Sequence, residues 1–369
     1  MAQRQDDIFV ITTPGLEQIC RQELASIGIE CPVPVAGGVA FRGGLRDLYL
    51  ANLQLRTASR VLVRCGNFSA RDFPTLYRRL VRLPWGRFIK PGTECEVRVS
   101  CHRSRLSHTG RVAETTQEAI RKALGAPAGV AGAAQKIYLR IEDDNCLVSL
   151  DSSGELLHRR GYRVANVAAP LRENLAAACL LMLGYTGSQP LIDAMTGSGT
   201  FAIEAALIAL RRAPGAGRNF AFMNWPKYRQ GLWQQLLLQA RQQERGGLAA
   251  AISAVDSNPQ AVAAAGQNLQ AAGLAGQVQL DCQPFQELVA PEEPGLLICN
   301  PPYGERLGSN AGLQALYHDL GRVYGRTFGH WQGALVCPEN DLVRATGIPF
   351  VSQLQFSNGG IRVSLLKKP

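Results

Sequence analysis

Nowhere does this 369-residue sequence string together the roughly 18 uncharged apolar residues that a membrane-crossing helix needs, and its start, MAQRQDDIFVITTPG, has no apolar core of a secretion signal. A membrane span and export are therefore not expected, and the cytoplasm is the expected compartment. Paired cysteine spacing is missing too. The ten cysteines, at 20, 31, 65, 95, 101, 146, 179, 282, 299 and 337, include no C-x-x-C, a pattern of reduced thiols rather than a disulfide framework. Cys95, Cys101 and His102 fall short of the four paired ligands of a structural zinc site, so no metal is expected. Internal repeats and long low-complexity tracts are also lacking, which argues against a solenoid or a disordered scaffold.

What is present is a hydrophobic fraction of 46%, enough for an ample core, over a length that favours two or three domains. Lysine and arginine outnumber the acids by 39 to 29, and a formal charge of +10 suggests a polyanionic partner. Residues 1–50 read as a small α+β unit: a strand at IFVITT, an amphipathic helix from Pro14 to Ile27, and a Gly-turned hairpin in VPVAGGVAFRG. Residues 51–154 repeat the character, with strands at SRVLVRCGNF, ECEVRVSC, QKIYLRIEDD and CLVSLDSS and helices at FPTLYRRLVRL and Thr115–Ala123. A linker is expected over 155–170. From 171 to 369 a helix gives way to strand and helix alternation, which predicts a doubly wound α/β sheet with ligands at the carboxyl ends of its strands.

The first such end carries Asp193-Ala194-Met195-Thr196-Gly197-Ser198-Gly199-Thr200 between an apolar strand and a helix. Its glycines allow a sharp turn and close approach of backbone to a ligand, and a helix start offers unpaired N–H groups to an anion. A P-loop is excluded, because Thr200-Phe201 follow Gly199 and no lysine is placed for phosphates. A dinucleotide fingerprint fits Gly197, Gly199 and Ala202; an S-adenosylmethionine loop, with the acid holding the methionine part, is the alternative. The next strand ends in Val255-Asp256-Ser257, where an acid suits ribose hydroxyls or, with Asn258, caps a helix. Asp256 stands much further from the glycines than the roughly 20 residues of a dinucleotide enzyme, which weakens that reading.

GLLICNPPYGERLG is the most informative stretch. An apolar strand delivers Asn300 to the sheet edge, and Pro301 and Pro302 stiffen the turn. The Pro301 carbonyl and the Asn300 side-chain oxygen are two acceptors beside the flat ring of Tyr303, a set suited to an aromatic NH₂ that donates both hydrogens while its base stacks. Such holding aims the nitrogen lone pair at an electrophilic methyl, so catalysis rests on orientation and charge stabilisation. Cys299 and Cys337 admit a rival, thiolate attack on a pyrimidine ring, but both end apolar strands and read as core thiols.

Together, DAMTGSGTFAIEAALIA, AVDSN and NPPYGERLG resemble class I S-adenosylmethionine-dependent methyltransferases of the amino-methylating kind. SRLSHTGRVAE, SGELLHRRGYR and APLRENLAAACLL are similar to bacterial large-subunit ribosomal RNA guanine-N2 methyltransferases carrying a THUMP domain, over nearly the whole chain. The resemblance implies a ferredoxin-like subdomain, a THUMP domain that binds RNA, and a Rossmann-like catalytic domain. It places Asp193, Thr196, Gly197, Ser198, Gly199 and Thr200 along S-adenosylmethionine, Asp256 and Ser257 on its ribose, Asp281, Cys282 and Gln283 near its adenine, and Asn300 to Tyr303 on the target base. Pro284 stands where the family commonly has an acid, and no second methyltransferase domain, such as the long fused members append, is expected after Pro369.

Between Arg56 and Arg111 stand thirteen Lys or Arg against three acids, so the middle domain is expected to meet phosphates. Arg103, Arg105, His108 and Thr109, in an apparently irregular segment, are candidates for phosphate or 2′-OH contacts, and Arg159, Arg160 and Arg163 of the linker for tracking the strand toward the cleft. The base must come from a loop or be flipped out. Phe222, Trp225 and Tyr228 are candidates for a lid over the pocket. Alternatives in view are a transfer RNA guanine, adenine N6, a glutamine amide, or an inactive RNA-binding assembly factor.

Overall fold

The computed structural model describes residues 5–125, 130–167, 170–303 and 310–369, so the end of the NPPYGERLG motif lies outside the described residues. The chain forms two compact units. One gathers residues up to Thr12, Arg21–Leu157 and Arg218–Leu238; the other gathers Thr13–Cys20, His158–Gly217 and Gln239–Pro369.

The first unit is a seven-stranded sheet made from β1 (Asp6–Thr12), β2 (Val33–Val35), β3 (Gly38–Gly43), β4 (Ala58–Ser69), β5 (Thr93–His102), β6 (Val130–Glu142) and β7 (Asn145–Asp151), in the order β2-β3-β1-β4-β7-β6-β5. Alternation along the strands buries Ile8 and Val10, Val61 and Val63, Ile137 and Leu139, and Val148 and Leu150 on one face. Helices α1 (Glu17–Ser26), α2 (Leu45–Gln54), α3 (Phe73–Val81) and α4 (Thr109–Leu124) supply the complementary side chains Leu24, Leu48, Leu76 and Val112. Asp72 caps α3 by accepting from the Thr75 amide at 2.7 Å. A division at 50/51 would cut α2. The α4 helix starts six residues before the expected Thr115, with His108 as N-cap, so His108 and Thr109 sit at an exposed helix start rather than in an irregular loop.

The insertion at Arg218–Leu238 belongs to this first unit. Phe222 stacks on Tyr49 with ring centroids 4.4 Å apart, and Trp225 meets the Phe88 ring edge-on while its indole N–H donates to Gln135 at 2.8 Å. Both are buried core residues, so the expectation that they form a lid is corrected: bulky aromatics here fill the helix–sheet interior.

The second unit is also a seven-stranded sheet: β8 (Leu191–Asp193), β9 (Ile252–Asp256), β10 (Gln279–Cys282), β11 (Leu296–Cys299), β12 (Gln332–Cys337), β13 (Val351–Asn358) and β14 (Ile361–Lys367), in the order β10-β9-β8-β11-β12-β14-β13. Strands β8 to β12 run parallel, and β14 pairs antiparallel with both β12 and β13. Its helices are α5 (Glu173–Met182), α6 (Thr200–Ala209), α7 (Gln230–Gln242, shared with the first unit), α8 (Pro259–Ala271), α9 (Asn310–Arg322) and α10 (Asp341–Ala345). The chain winds outward in both directions from β8, and that switch point opens a crevice at the carboxyl ends of β8, β9 and β11. The fold is Rossmann-like α/β, as the alternation predicts.

Beyond Leu157 the expected linker is no linker. Tyr162 is buried and donates to Glu204 of α6 at 3.1 Å, and Arg160 pairs with the same carboxylate at 3.5 Å. The segment from His158 to Val167 is a strap packed within the second unit.

Candidate active site

A cavity of 720 Å³ opens at the switch point. Its floor is the turn after β8. The Thr196 amide donates to the Val255 carbonyl at 2.9 Å and the Thr196 hydroxyl to Asp193 at 2.7 Å, so the turn is bonded to both flanking strands. Gly197 takes φ +54° and Gly199 φ +84°, left-handed values that suit glycine. Thr196, Gly197, Ser198 and Thr200 line the cavity, whereas Gly199 faces α8, where a Cβ would come within 3.3 Å of the Ala265 Cβ. Gly199 therefore serves helix packing.

Asp193 lies beneath the turn, buried and not itself lining the cavity, with one carboxylate oxygen bonded by Thr196 and the other, Oδ1, without a hydrogen-bond donor among the described residues. Burial pushes its pKa up to about 7; the Thr196 and Ala202 hydrogen bonds oppose that, and the Asp256 charge adds to it. Asp256 ends β9 and accepts from the Gly197 amide and the Asn258 amide, both at 2.9 Å. It lines the cavity beside Ser257, and Asn258 caps α8 by accepting from the Gln260 amide.

Asp281, Cys282 and Gln283 do not line the cavity; Pro284, Phe285 and Gln286 do. The expectation of contacts at 281–283 is corrected by one turn. The strand β10 ends at Cys282, the Gln283 amide is used on the Asp256 carbonyl, and the tight turn that follows swings Phe285 inward.

Opposite the loop stand Asn300, Pro301, Pro302 and Tyr303, together on the cavity wall. Asn300 Oδ1 is buried and has no donor among the described residues. Two side chains brace the turn: the Tyr317 hydroxyl donates to the Pro302 carbonyl at 3.4 Å, and the Asn358 amide donates to the Tyr303 hydroxyl at 3.3 Å. Neither partner is apparent from the sequence: Tyr317 stands 15 residues beyond Pro302 and Asn358 stands 55 beyond Tyr303. Cys299 and Cys337 are fully buried, and burial holds the Cys299 thiol well above its ordinary range and pushes Cys337 up to about 12, so neither is a ready nucleophile.

Three linker arginines part company. Arg159 is exposed, Arg160 is turned inward to Glu204, and Arg163 runs under the cofactor loop, donating to Glu173 (2.9 Å), Ser198 (3.0 Å), Thr200 (3.0 Å) and the Leu171 carbonyl (2.9 Å). Expected on an RNA path, Arg160 and Arg163 are instead committed to buried acids of α5 and α6. In the first unit, Arg103 and Arg105 are exposed beside the Asp143–Asp144 turn: Arg103 pairs with Asp143 at 3.1 Å, and the Arg105 amide donates to Asp144 at 2.8 Å.

A family model of the RMKL-like methyltransferase domain matches residues 160–363, the RlmL ferredoxin-like domain matches 7–62, and a THUMP domain matches 70–151. The chain belongs to the RMKL-like methyltransferase family. A Synechocystis sp. relative provisionally named an RNA methyltransferase, slr0064, is 34% identical over 97% of this chain and 95% of its own length. Ribosomal RNA large subunit methyltransferase K/L of Methylococcus capsulatus is 34% identical over 97% of this chain, which spans 50% of that relative's length. Among solved structures, SMU.472, a provisionally assigned methyltransferase complexed with S-adenosylhomocysteine, matches at a TM-score of 0.90 and 29% identity over 99% of this chain and 98% of its own.

Proposed function

We propose that this protein transfers a methyl group from S-adenosylmethionine to the exocyclic N2 amino group of a guanine in large-subunit ribosomal RNA. The observation that carries the reading is Asn300 Oδ1: a buried acceptor without a donor among the described residues, beside Tyr303, across one cavity from a glycine loop. Leaving such an oxygen unsatisfied costs about 1–3 kcal/mol, so its retention points to an NH₂ brought by a substrate.

The cavity suits S-adenosylmethionine. Its volume lies in the range of about 300–1,000 Å³ usual for small-molecule sites, and Asp193 Oδ1, beneath the loop and without a donor among the described residues, suits an ammonium. Asp256 has acceptor capacity left for ribose hydroxyls, and Phe285 offers an apolar wall for adenine. When bound, the cofactor supplies an electrophilic sulfonium methyl.

The protein's own part is positional. Asn300 Oδ1 and the Pro301 carbonyl accept the two amino hydrogens, which draws electron density onto the nitrogen and directs its lone pair. Tyr303 stacks the base. As positive charge develops on nitrogen, the same two acceptors stabilise it, and the proton departs after transfer. The THUMP match and the K/L relatives support RNA, and the K/L relatives support the large subunit.

The deciding test compares nucleoside digests of ribosomal and transfer RNA from cells with and without the gene by mass spectrometry. Loss of N2-methylguanosine from large-subunit RNA alone is expected. Unchanged ribosomal RNA would sink the proposal.

A further inference from the structure

The guanidinium of Arg163 does more than staple the strap. Its Nη1 donates to Ser198 Oγ and its Nη2 to Thr200 Oγ1, both at 3.0 Å, while Nε is held by Glu173, itself buried in the first turn of α5. A hydroxyl oxygen that accepts from a guanidinium turns its own hydrogen elsewhere. Both hydroxyls belong to cavity-lining residues, and no acceptor for either hydrogen is found among the described residues. They flank Gly199, the N-cap of α6, a ten-residue helix whose first-turn N–H groups lack intrahelical partners. Two polarised O–H donors, a helix start and an ion pair with its positive end toward the loop form a receptor for an anion.

Asn268 supports the arrangement from the other side. Fully buried on α8, it accepts from the Val164 and Ala165 amides (2.8 and 2.9 Å) and donates to the Ala165 and Ser198 carbonyls (both 2.9 Å), bonding strap and loop in one piece. The strap's Val167 closes over Gly197, where a Cβ would come within 3.3 Å of it.

We propose that Arg163 is a positioning residue that, through Ser198 and Thr200, makes this loop the receptor for the carboxylate of the cofactor's amino-acid end. The assignment rests on the S-adenosylmethionine reading above. It separates the two ends of one amino acid: the ammonium goes toward Asp193 beneath the turn, and the carboxylate to a pair of cavity-lining hydroxyls charged from behind by Arg163; neither Asp193 nor Arg163 itself lines the cavity.

The test is calorimetric and independent of turnover. Binding of S-adenosylhomocysteine is compared with that of its decarboxylated analogue, which keeps the ammonium and loses the carboxylate. The unsubstituted chain binds the carboxylate-bearing ligand more tightly. Arg163→Met raises the Kd of S-adenosylhomocysteine by roughly 10- to 100-fold, the worth of a charge-assisted hydrogen bond, and moves that of the analogue less than about threefold. Arg163→Lys, keeping the charge, recovers part of the difference. Equal weakening of both ligands by Arg163→Met would show that Arg163 only holds the fold, and overturns the proposal, as does no change. Should Arg163→Met fail to fold, the double variant Ser198→Ala/Thr200→Val, which leaves the guanidinium in place, decides between the same outcomes. An unsubstituted chain that binds neither ligand overturns the cofactor reading itself; one that binds both equally overturns the carboxylate assignment alone.

Discussion

Two buried oxygens, Asn300 Oδ1 and Asp193 Oδ1, are acceptors without donors among the described residues, and each yields a different experiment. Asn300→Ala removes one acceptor for the target amine without touching the cofactor loop. Transfer is expected to fall about 10²–10³-fold, while the Kd for S-adenosylhomocysteine stays within about threefold; equal loss of both would contradict the role. For Asp193 the sign is set by a pKa raised from an ordinary value of about 3.9 to about 7. The folded chain holds that proton more tightly than the unfolded one, so this group's contribution to stability is greatest at low pH and is lost between about pH 4 and pH 7. Ligand binding runs the other way, because an ammonium needs the ionised carboxylate. The Kd is therefore expected to tighten from pH 6 to pH 8, with proton release on binding below pH 7. Asp193→Asn flattens that profile, and a pH-independent Kd in the unsubstituted chain would refute the pairing. These residues are legible in sequence because an acid with a glycine turn and an Asn-Pro-Pro-Tyr turn each follow an apolar strand in an alternating α/β pattern, where such sheets bind ligands. Arg163 was not, since a charged residue in a polar stretch reads as exposed unless its buried carboxylate is known.

The α6–α8 approach carries the element-scale prediction. Gly199 combines φ +84° with a Cβ position 3.3 Å from Ala265, so Gly199→Ala is expected to cost about 1–2 kcal/mol, measured as a lower urea midpoint at unchanged slope. An unaltered midpoint would show that the helices part easily. Strands and helices of the second unit were largely readable from alternation. The helix α2 was not, and the cause is physical: Leu48 through Leu53 are six consecutive buried residues, so the segment lacks the polar face that gives a 3.6-residue period. The start of α4 was hidden by Gly110, a poor helix former one residue inside it. The adenine side of the cavity was misplaced because strand length, which sequence fixes least well, decides which residues follow the bend.

At the scale of the whole molecule, charge counted along the chain overstates charge available to RNA. Of the thirteen basic residues between 56 and 111, Arg60 is buried against Asp151, Arg87 is paired with Asp6 at 2.8 Å, and Arg64 lies over the Phe9 ring at 4.5 Å. Removing an exposed member such as Arg105 is expected to reduce the slope of log K against log salt by about 0.7, the value for one single-strand phosphate contact, measured by RNA binding at several salt concentrations. Arg60→Met leaves that slope unaltered and acts on melting temperature instead. A slope change of the same size for both would contradict the division into inward and outward arginines.

The insertion at Arg218–Leu238 has a further consequence, for the order in which the molecule is made. The aromatic partners of Tyr49 and Phe88 are Phe222 and Trp225, which reach the ribosomal exit long after the strands they pack upon. The N-terminal half thus completes its interior only once β8 and α6 of the other half have already been synthesised. Neither half is a detachable module: a gene cut at residue 158 leaves one fragment with an unfilled interior and the other with bare tryptophans.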